Sequence, residues 1–185
     1  MKAMEVLMDE HRVIERVLNV LETGADLLES GAMVKPELLL SATEFMRGYA
    51  DGYHHAKEEG ILFTHLEQQG FTTQGCPLGV MLAEHECGRQ YTRALISAAQ
   101  DIQKGNMGGV KRAIQSSRSY VALLRQHIFK EDTILFPMSV DVIPAEKHEA
   151  VLQEFDQIDQ AKSEEGLQEK YLALAKSLEE EIRIV

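Results

Sequence analysis

Two pairs in this chain set a histidine and a glutamate four residues apart: His54 with Glu58, and His127 with Glu131. On a helix such residues lie one turn above the other on one face, so each pair presents a nitrogen and an oxygen donor side by side. His11 and His85 stand singly, each inside an apolar helical stripe. Imidazoles and carboxylates buried on such stripes lose hydration worth several kcal/mol per charge, and a cation is the simplest compensation. Four imidazoles and two carboxylates suffice for two first-row metal ions. The carboxylates would bridge the ions, imidazoles would come from neighbouring elements, and positions would stay open for a small molecule. Mixed nitrogen and oxygen donors point to iron first, then manganese or zinc. The expected metal ligands are therefore His11, His54, Glu58, His85, His127 and Glu131.

Other residues compete for these roles. His55 and Glu59 repeat the four-residue spacing one step round the helix, as an alternative register or as a supporting pair. Tyr49, Tyr53 and Tyr120 lie near the inward stripes, where a phenol reads as a core aromatic with a polar handle, or else as a donor to a bound ligand, an oxidisable relay or a ligand itself. Arg89 is one turn from His85 on the same face, placed to pair with a carboxylate or steer an anion. Glu86 is rotated toward solvent, and His65 and His148 read as surface or satisfied core residues. The methionines read as core filler. No Glu-x-x-His pair occurs on these segments, which argues against a ferritin-type carboxylate site.

The segments that must carry these residues are helical by their apolar period. The first places Met4, Leu7, His11, Ile14, Leu18, Leu21, Ala25 and Leu28 at steps of three and four and ends near Ser30 and Gly31. A second opens at Lys35 and Pro36 and stops near Gly70. After a turn from Thr72 to Gly75, a third enters at Cys76 and Pro77 and ends at Gly105 to Gly109. The fourth runs through Val110, Ala113, Ser117, Tyr120, Leu124, His127, Glu131, Ile134 and Met138, with Pro137 and Pro144 bracketing its exit. From Ala145 onward one or two outer helices follow, broken around Glu164 to Gly166. The expected fold is all-α: an up-down-up-down four-helix bundle over residues 1–140, with a C-terminal helical extension over 141–185 packed on the same domain.

A chain of 185 residues is one domain long, which leaves little room for a second catalytic domain. Thirty acidic against 19 basic side chains give a net charge of -11, which repels phosphate backbones and anionic headgroups and excludes nucleic-acid and membrane-surface partners. No run approaches the ~20 apolar residues of a membrane span. The first 11 residues mix Lys2, Glu5, Asp9 and Glu10 with apolar ones, unlike a secretory leader, so the expected location is the cytoplasm. Cys76 and Cys87 would sit roughly 15 Å apart along a helix, too far for a bridge, and Cys76 reads as an incidental loop thiol or a redox handle.

In order, the six candidate ligands spell one histidine, H-x-x-x-E, one histidine, H-x-x-x-E, and this string resembles the hemerythrin-like, or HHE cation-binding, family. The surroundings of Glu10-His11, of Lys57-Glu58-Glu59 running into Ile61-Leu62-Phe63, of Glu84-His85, and of Lys130-Glu131-Asp132 running into Leu135-Phe136-Pro137 are similar to it too. The resemblance covers residues 1–140 and implies a non-haem centre of two iron ions, oxo- or hydroxo-bridged. Such a centre binds dioxygen, nitric oxide or peroxide, or serves redox sensing or iron handling. Oxygen carriers of that family place two histidines four apart on the third helix, whereas Met81 and Arg89 flank His85 at that spacing here. One imidazole is thus expected to be missing, which favours ligand activation or labile metal over reversible carriage. The carriers also use an aspartate five residues after the last histidine, where Asp132 stands. Glu131 is preferred because it shares the stripe of Leu124, Ile134 and Met138, while Asp132 is turned about 100° away. Two functions follow: a binding protein for sensing, scavenging or storage, or an enzyme that decomposes peroxide or reduces nitric oxide. A structural or signalling bundle with a zinc or incidental site is a third.

Overall fold

The computed structural model describes residues 1–75 and 77–184, so the expectations for Cys76 lie outside the described residues. Six helices make up nearly all of it: α1, Lys2–Glu29; α2, the run 36–67; α3, Leu78–Gln103; α4, the run 108–142; α5, His148–Glu164; and α6, Leu167–Ile182. A 3₁₀ turn, Ala145–Lys147, leads into α5. There is no strand among the described residues, and none of their helices is long and apolar enough to cross a membrane. Pro36 opens α2 at a position where its missing N–H costs nothing. Gly166, at φ 67°, takes the left-handed conformation that separates α5 from α6.

Two apolar clusters form, and the helices cross from one to the other. One gathers Ile14, Leu18, Leu39, Phe45, Leu95, Tyr120 and Leu124; the other gathers Leu7, Leu62, Phe63, Met81, Leu135, Phe136 and Phe155. Along α1 the boundary falls between Leu7 and Ile14, and His11 sits in that gap. Along α2 it falls between Tyr53 and Ile61, along α3 between Met81 and Leu95, and along α4 between Ile128 and Leu135. His54 to Glu58, His85 and Glu131 occupy those three gaps. A buried polar layer therefore lies between two apolar ones.

Three wide π turns interrupt the ordinary helical ladder, at Met46–His54 and Glu58–Leu62 in α2 and at Glu131–Leu135 in α4. Each adds a residue per turn and changes which side chains face inward. The fourth-helix stripe drawn through Ile134 is corrected here: Ile134 is 57% exposed, and Leu135 takes the buried position at 1%. Ser139 likewise lies fully buried one step past the half-buried Met138.

α5 and α6 pack on the other helices through Val151, Phe155, Ala175 and Leu178, and polar ties fix their placement. Arg16 on α1 donates to both oxygens of Glu179 at 3.0 and 2.7 Å, and Lys170 pairs with Glu44 at 2.6 Å. The phenol of Tyr171 enters a notch at Gly48, where a β-carbon would lie 1.8 Å from its oxygen. Gly48→Ala should thus expel a buried ring and cost about 1–3 kcal/mol in a urea titration. Gly60→Ala, whose added methyl meets nothing within 4 Å, should be neutral or gain about 0.4–1 kcal/mol. Equal stability of the two variants would contradict this packing.

Candidate metal centre

The polar layer brings all six sequence-derived candidates together and adds a seventh. One donor set is His55, Glu58, His85 and His127; the other is His11, His54, Glu58 and Glu131, and within each set the donor atoms lie within 4.8 Å of one another. Both carboxylates face both sets. Glu58 turns Oε1 to His54 Nε2 at 3.4 Å and Oε2 to His85 Nε2 at 3.5 Å. Glu131 turns Oε2 to His11 Nε2 at 3.3 Å and Oε1 to His127 Nε2 at 3.2 Å. None of these four oxygens, nor His11 Nε2 or His54 Nε2, makes a hydrogen bond, and all are buried. Orphaned polar atoms of this kind are rare in a folded interior and signal an absent partner.

Each ring is aimed by its other nitrogen. His11 Nδ1 donates to Asp132 at 2.7 Å, His54 Nδ1 to Glu10 at 2.8 Å, His55 Nδ1 to Asp51 at 3.2 Å, His85 Nδ1 to Glu59 at 2.7 Å and His127 Nδ1 to Glu84 at 2.9 Å. A carboxylate accepts only, so every Nδ1 carries the proton and every Nε2 offers a lone pair toward the middle. His85 Nε2 and His127 Nε2 are 3.0 Å apart, and their lone pairs face once His127 gives up its Nε2 proton. Two donors about 2.1 Å from one ion at a right angle stand about 3.0 Å apart, so the residues fit a shared cation. The outer carboxylates are held in turn by cations: Asp132 by Arg12, Glu10 by Lys57, Asp51 and Glu59 both by Arg89, and Glu84 by Lys130. His55 and His85 stack at 3.7 Å between centroids, so Arg89 anchors the supports of two rings in contact.

Proton affinities follow from this layering. Burial disfavours charge on His54, but Glu58 and Glu10 outweigh it and raise its pKa to about 10. His127 is likewise lifted to about 10 against its burial by Glu131 and Glu84. Burial and the neighbouring His85 push His55 down to about 4. Glu131 stays well below the usual carboxylate range despite full burial, because His127 and His11 face it. Glu59 falls to about 2, chiefly through the His85 hydrogen bond. Where no metal is bound, protons on His54 and His127 take its place, and a cation must displace them.

Several expectations are revised. The missing imidazole is supplied by His55, which adjoins His54 in sequence and faces inward with it because the turn Met46–His54 is wide. The argument from a shortfall of nitrogen donors therefore falls. His55 and Glu59 do not form the alternative ligand register: His55 joins the donor set while Glu59 supports His85. Asp132 lies outside the set, supporting His11. Arg89 pairs with carboxylates, Glu86 is exposed and pairs with Arg93 at 2.8 Å, and Tyr49, Tyr53 and Tyr120 lie in the apolar cluster. His65 is buried and meets Glu154 at 3.0 Å, and His148 donates to the Ile143 carbonyl at 2.9 Å. Cys87 is half-buried and free. The sequence signal for the fifth imidazole was the doublet His54-His55 three to four residues before Glu58.

The chain belongs to the hemerythrin family: residues 2–139 match the hemerythrin HHE cation binding domain. Among curated proteins, the uncharacterized proteins Rv1995 and MT2051 of Mycobacterium tuberculosis and Mb2018 of Mycobacterium bovis are each 27% identical to it over 154 residues, 83% of this chain. The chain spans 60% of the length of these relatives. No solved structure matches it. With the donor sets in place, His55→Ala should lower bound metal as much as His54→Ala, by about one ion per chain, whereas His65→Ala should leave the content unchanged. Elemental analysis of the three purified variants checks this.

Proposed function

We propose that this protein is a non-haem di-iron protein that binds a small ligand, dioxygen, nitric oxide or peroxide, for sensing, scavenging or storage. The observation that carries the reading is that Glu58 and Glu131 each direct one orphaned oxygen to each of two imidazole sets. Bridging carboxylates between two ions explain that arrangement, and no single ion does. The charge supports it. Neither Glu58 nor Glu131 pairs with a Lys or Arg among the described residues, and Arg12, Lys57, Arg89 and Lys130 are taken up by the carboxylates that hold the rings.

His55, His85 and His127 would hold one ion, and His11 and His54 the other, each with one oxygen from either glutamate. The two-imidazole side offers one donor fewer, which favours ligand entry there. Five imidazoles against two carboxylates favour iron over the oxygen-preferring hard cations. Two ions of a redox-active metal held there would supply electrons and Lewis acidity to a bound small molecule. The chain's own part is to fix the donors, keep the rings in one tautomer and exclude bulk water between two apolar layers. In this reading residues 1–140 form an up-down-up-down four-helix bundle, 141–185 pack on it as one domain, the location is cytoplasmic, and neither nucleic acid nor membrane is a partner.

The test is metal analysis with an optical spectrum of the purified chain before and after reduction and re-exposure to air. The expected result is about two irons per chain and a near-ultraviolet to violet absorption that bleaches and returns. Zinc, or an iron-free chain of unchanged melting temperature, would remove the reading. Glu131→Ala should lower iron content and melting temperature together, because metal bound only by the folded chain stabilises it. Catalytic consumption of peroxide or nitric oxide with a reductant would move the assignment from binding protein to enzyme.

A further inference from the structure

Four of the five outer carboxylates reach the surface: Asp132, Asp51, Glu59 and Glu84 are all partly exposed, as are Arg12, Arg89 and Lys130 that hold them. Glu10 is different. It is buried, and its cation, Lys57, is 0% exposed. An ammonium has three N–H donors and no acceptor, and at that depth water cannot serve it. Glu10 takes one donor, yet Glu10 also accepts from His54 through its other oxygen. A second carboxylate completes the shell of Lys57: Asp159, which additionally accepts from the Tyr53 hydroxyl at 2.7 Å. The Tyr53 ring lies under the same ammonium, 4.1 Å from Nζ to its centroid. Asp159 sits on α5, beyond the stretch 2–139 that matches the family domain.

We infer that Asp159 is a positioning residue of the metal centre. Through Lys57 and Glu10 it keeps the His54 ring aimed at the ion shared with His11, so α5 helps retain that ion. The inference rests on the two-ion reading above. Without the Asp159 carboxylate, the buried ammonium has Glu10 as its sole counter-charge, and Glu10 is drawn from His54 toward it. Breaking one partner from a buried charge network costs far more than the loss of an exposed pair. The consequence is local to one ion. His55, His85 and His127 lean on Asp51, Glu59 and Glu84, which are anchored by Arg89 and Lys130 and do not involve α5.

The experiment loads the full chain anaerobically with ferrous iron and follows transfer to an excess of chromophoric chelator. In Asp159→Asn, one of the two irons should leave about tenfold faster or more than in the wild type, the range for loss of an outer partner, with the other unchanged. Asp159→Glu should restore the slow phase. Glu179→Gln, which breaks the separate Arg16 tie between α6 and α1, should keep both wild-type phases. If Asp159→Asn does not fold, Lys57→Met breaks the same link from the other side and should give the same selective release. Wild-type phases in Asp159→Asn, or the same acceleration in Glu179→Gln, would overturn the inference while leaving the two-ion centre standing. A wild-type chain that holds no iron would overturn the two-ion reading, and this inference with it.

Discussion

Two glutamates placed in the interior with all four oxygens lacking a donor set the terms for everything around them. A carboxylate in that position is tolerable only against positive charge, and among the described residues the chain sets no Lys or Arg against either one. Instead it surrounds Glu58 and Glu131 with five imidazoles whose lone pairs point inward, then with carboxylates that fix those rings, then with Arg and Lys that hold the carboxylates. Each layer is held by the next, outward to the Arg and Lys side chains. Each layer makes the next necessary: a ring without its outer carboxylate would swing or switch tautomer, and Glu10 without Lys57 would be another buried charge.

The helices are arranged around this requirement. An unbroken apolar core would leave no room for a polar layer, so the core is divided in two, with the donor residues at the division on all four of α1 to α4. The wide turns fall where α2 and α4 cross it. At ordinary helical pitch Glu58 lies between His54 and His55 round the helix, which suits one glutamate facing two donor sets that take one of these histidines each. The wide turns flank these residues on either side, and turns of this kind are common at functional sites.

Much of this was legible in residue types and spacing. The single histidines His11 and His85 and the pairs His54/Glu58 and His127/Glu131 interrupt clean apolar stripes, and such interruptions are visible without coordinates. The helix breaks near Gly31, Gly70, Gly105 and Gly166 were visible for the same reason, since glycine marks where a helix ends. His55 was not legible as a donor because its place depends on a departure from the period used to read the stripe, and Ile134 was misplaced by the same kind of departure. The supporting carboxylates were invisible for another reason. Glu10 adjoins His11 in sequence but serves His54 on a different helix, and Glu84 adjoins His85 but serves His127. Lys57 reads as one of a run of solvated charges, yet it is among the most deeply buried side chains. Pairings across helices are a property of packing, and a linear pattern carries no trace of them.

The wide turns also constrain how the chain's length can drift over generations. Losing one residue from 131–135 would not merely shorten a helix. It would restore the ordinary pitch beside Glu131 while the helix beyond kept its facing, with Phe136 and Ser139 still inside, because five residues at the wide pitch turn about as far as four at the ordinary one. A single-residue gap should therefore be tolerated better at the wide turns within 46–62 and 131–135 than in the ordinary helix on either side, where it would turn everything beyond by about 100°. The loops between helices, where an added residue turns nothing, are free to vary in length.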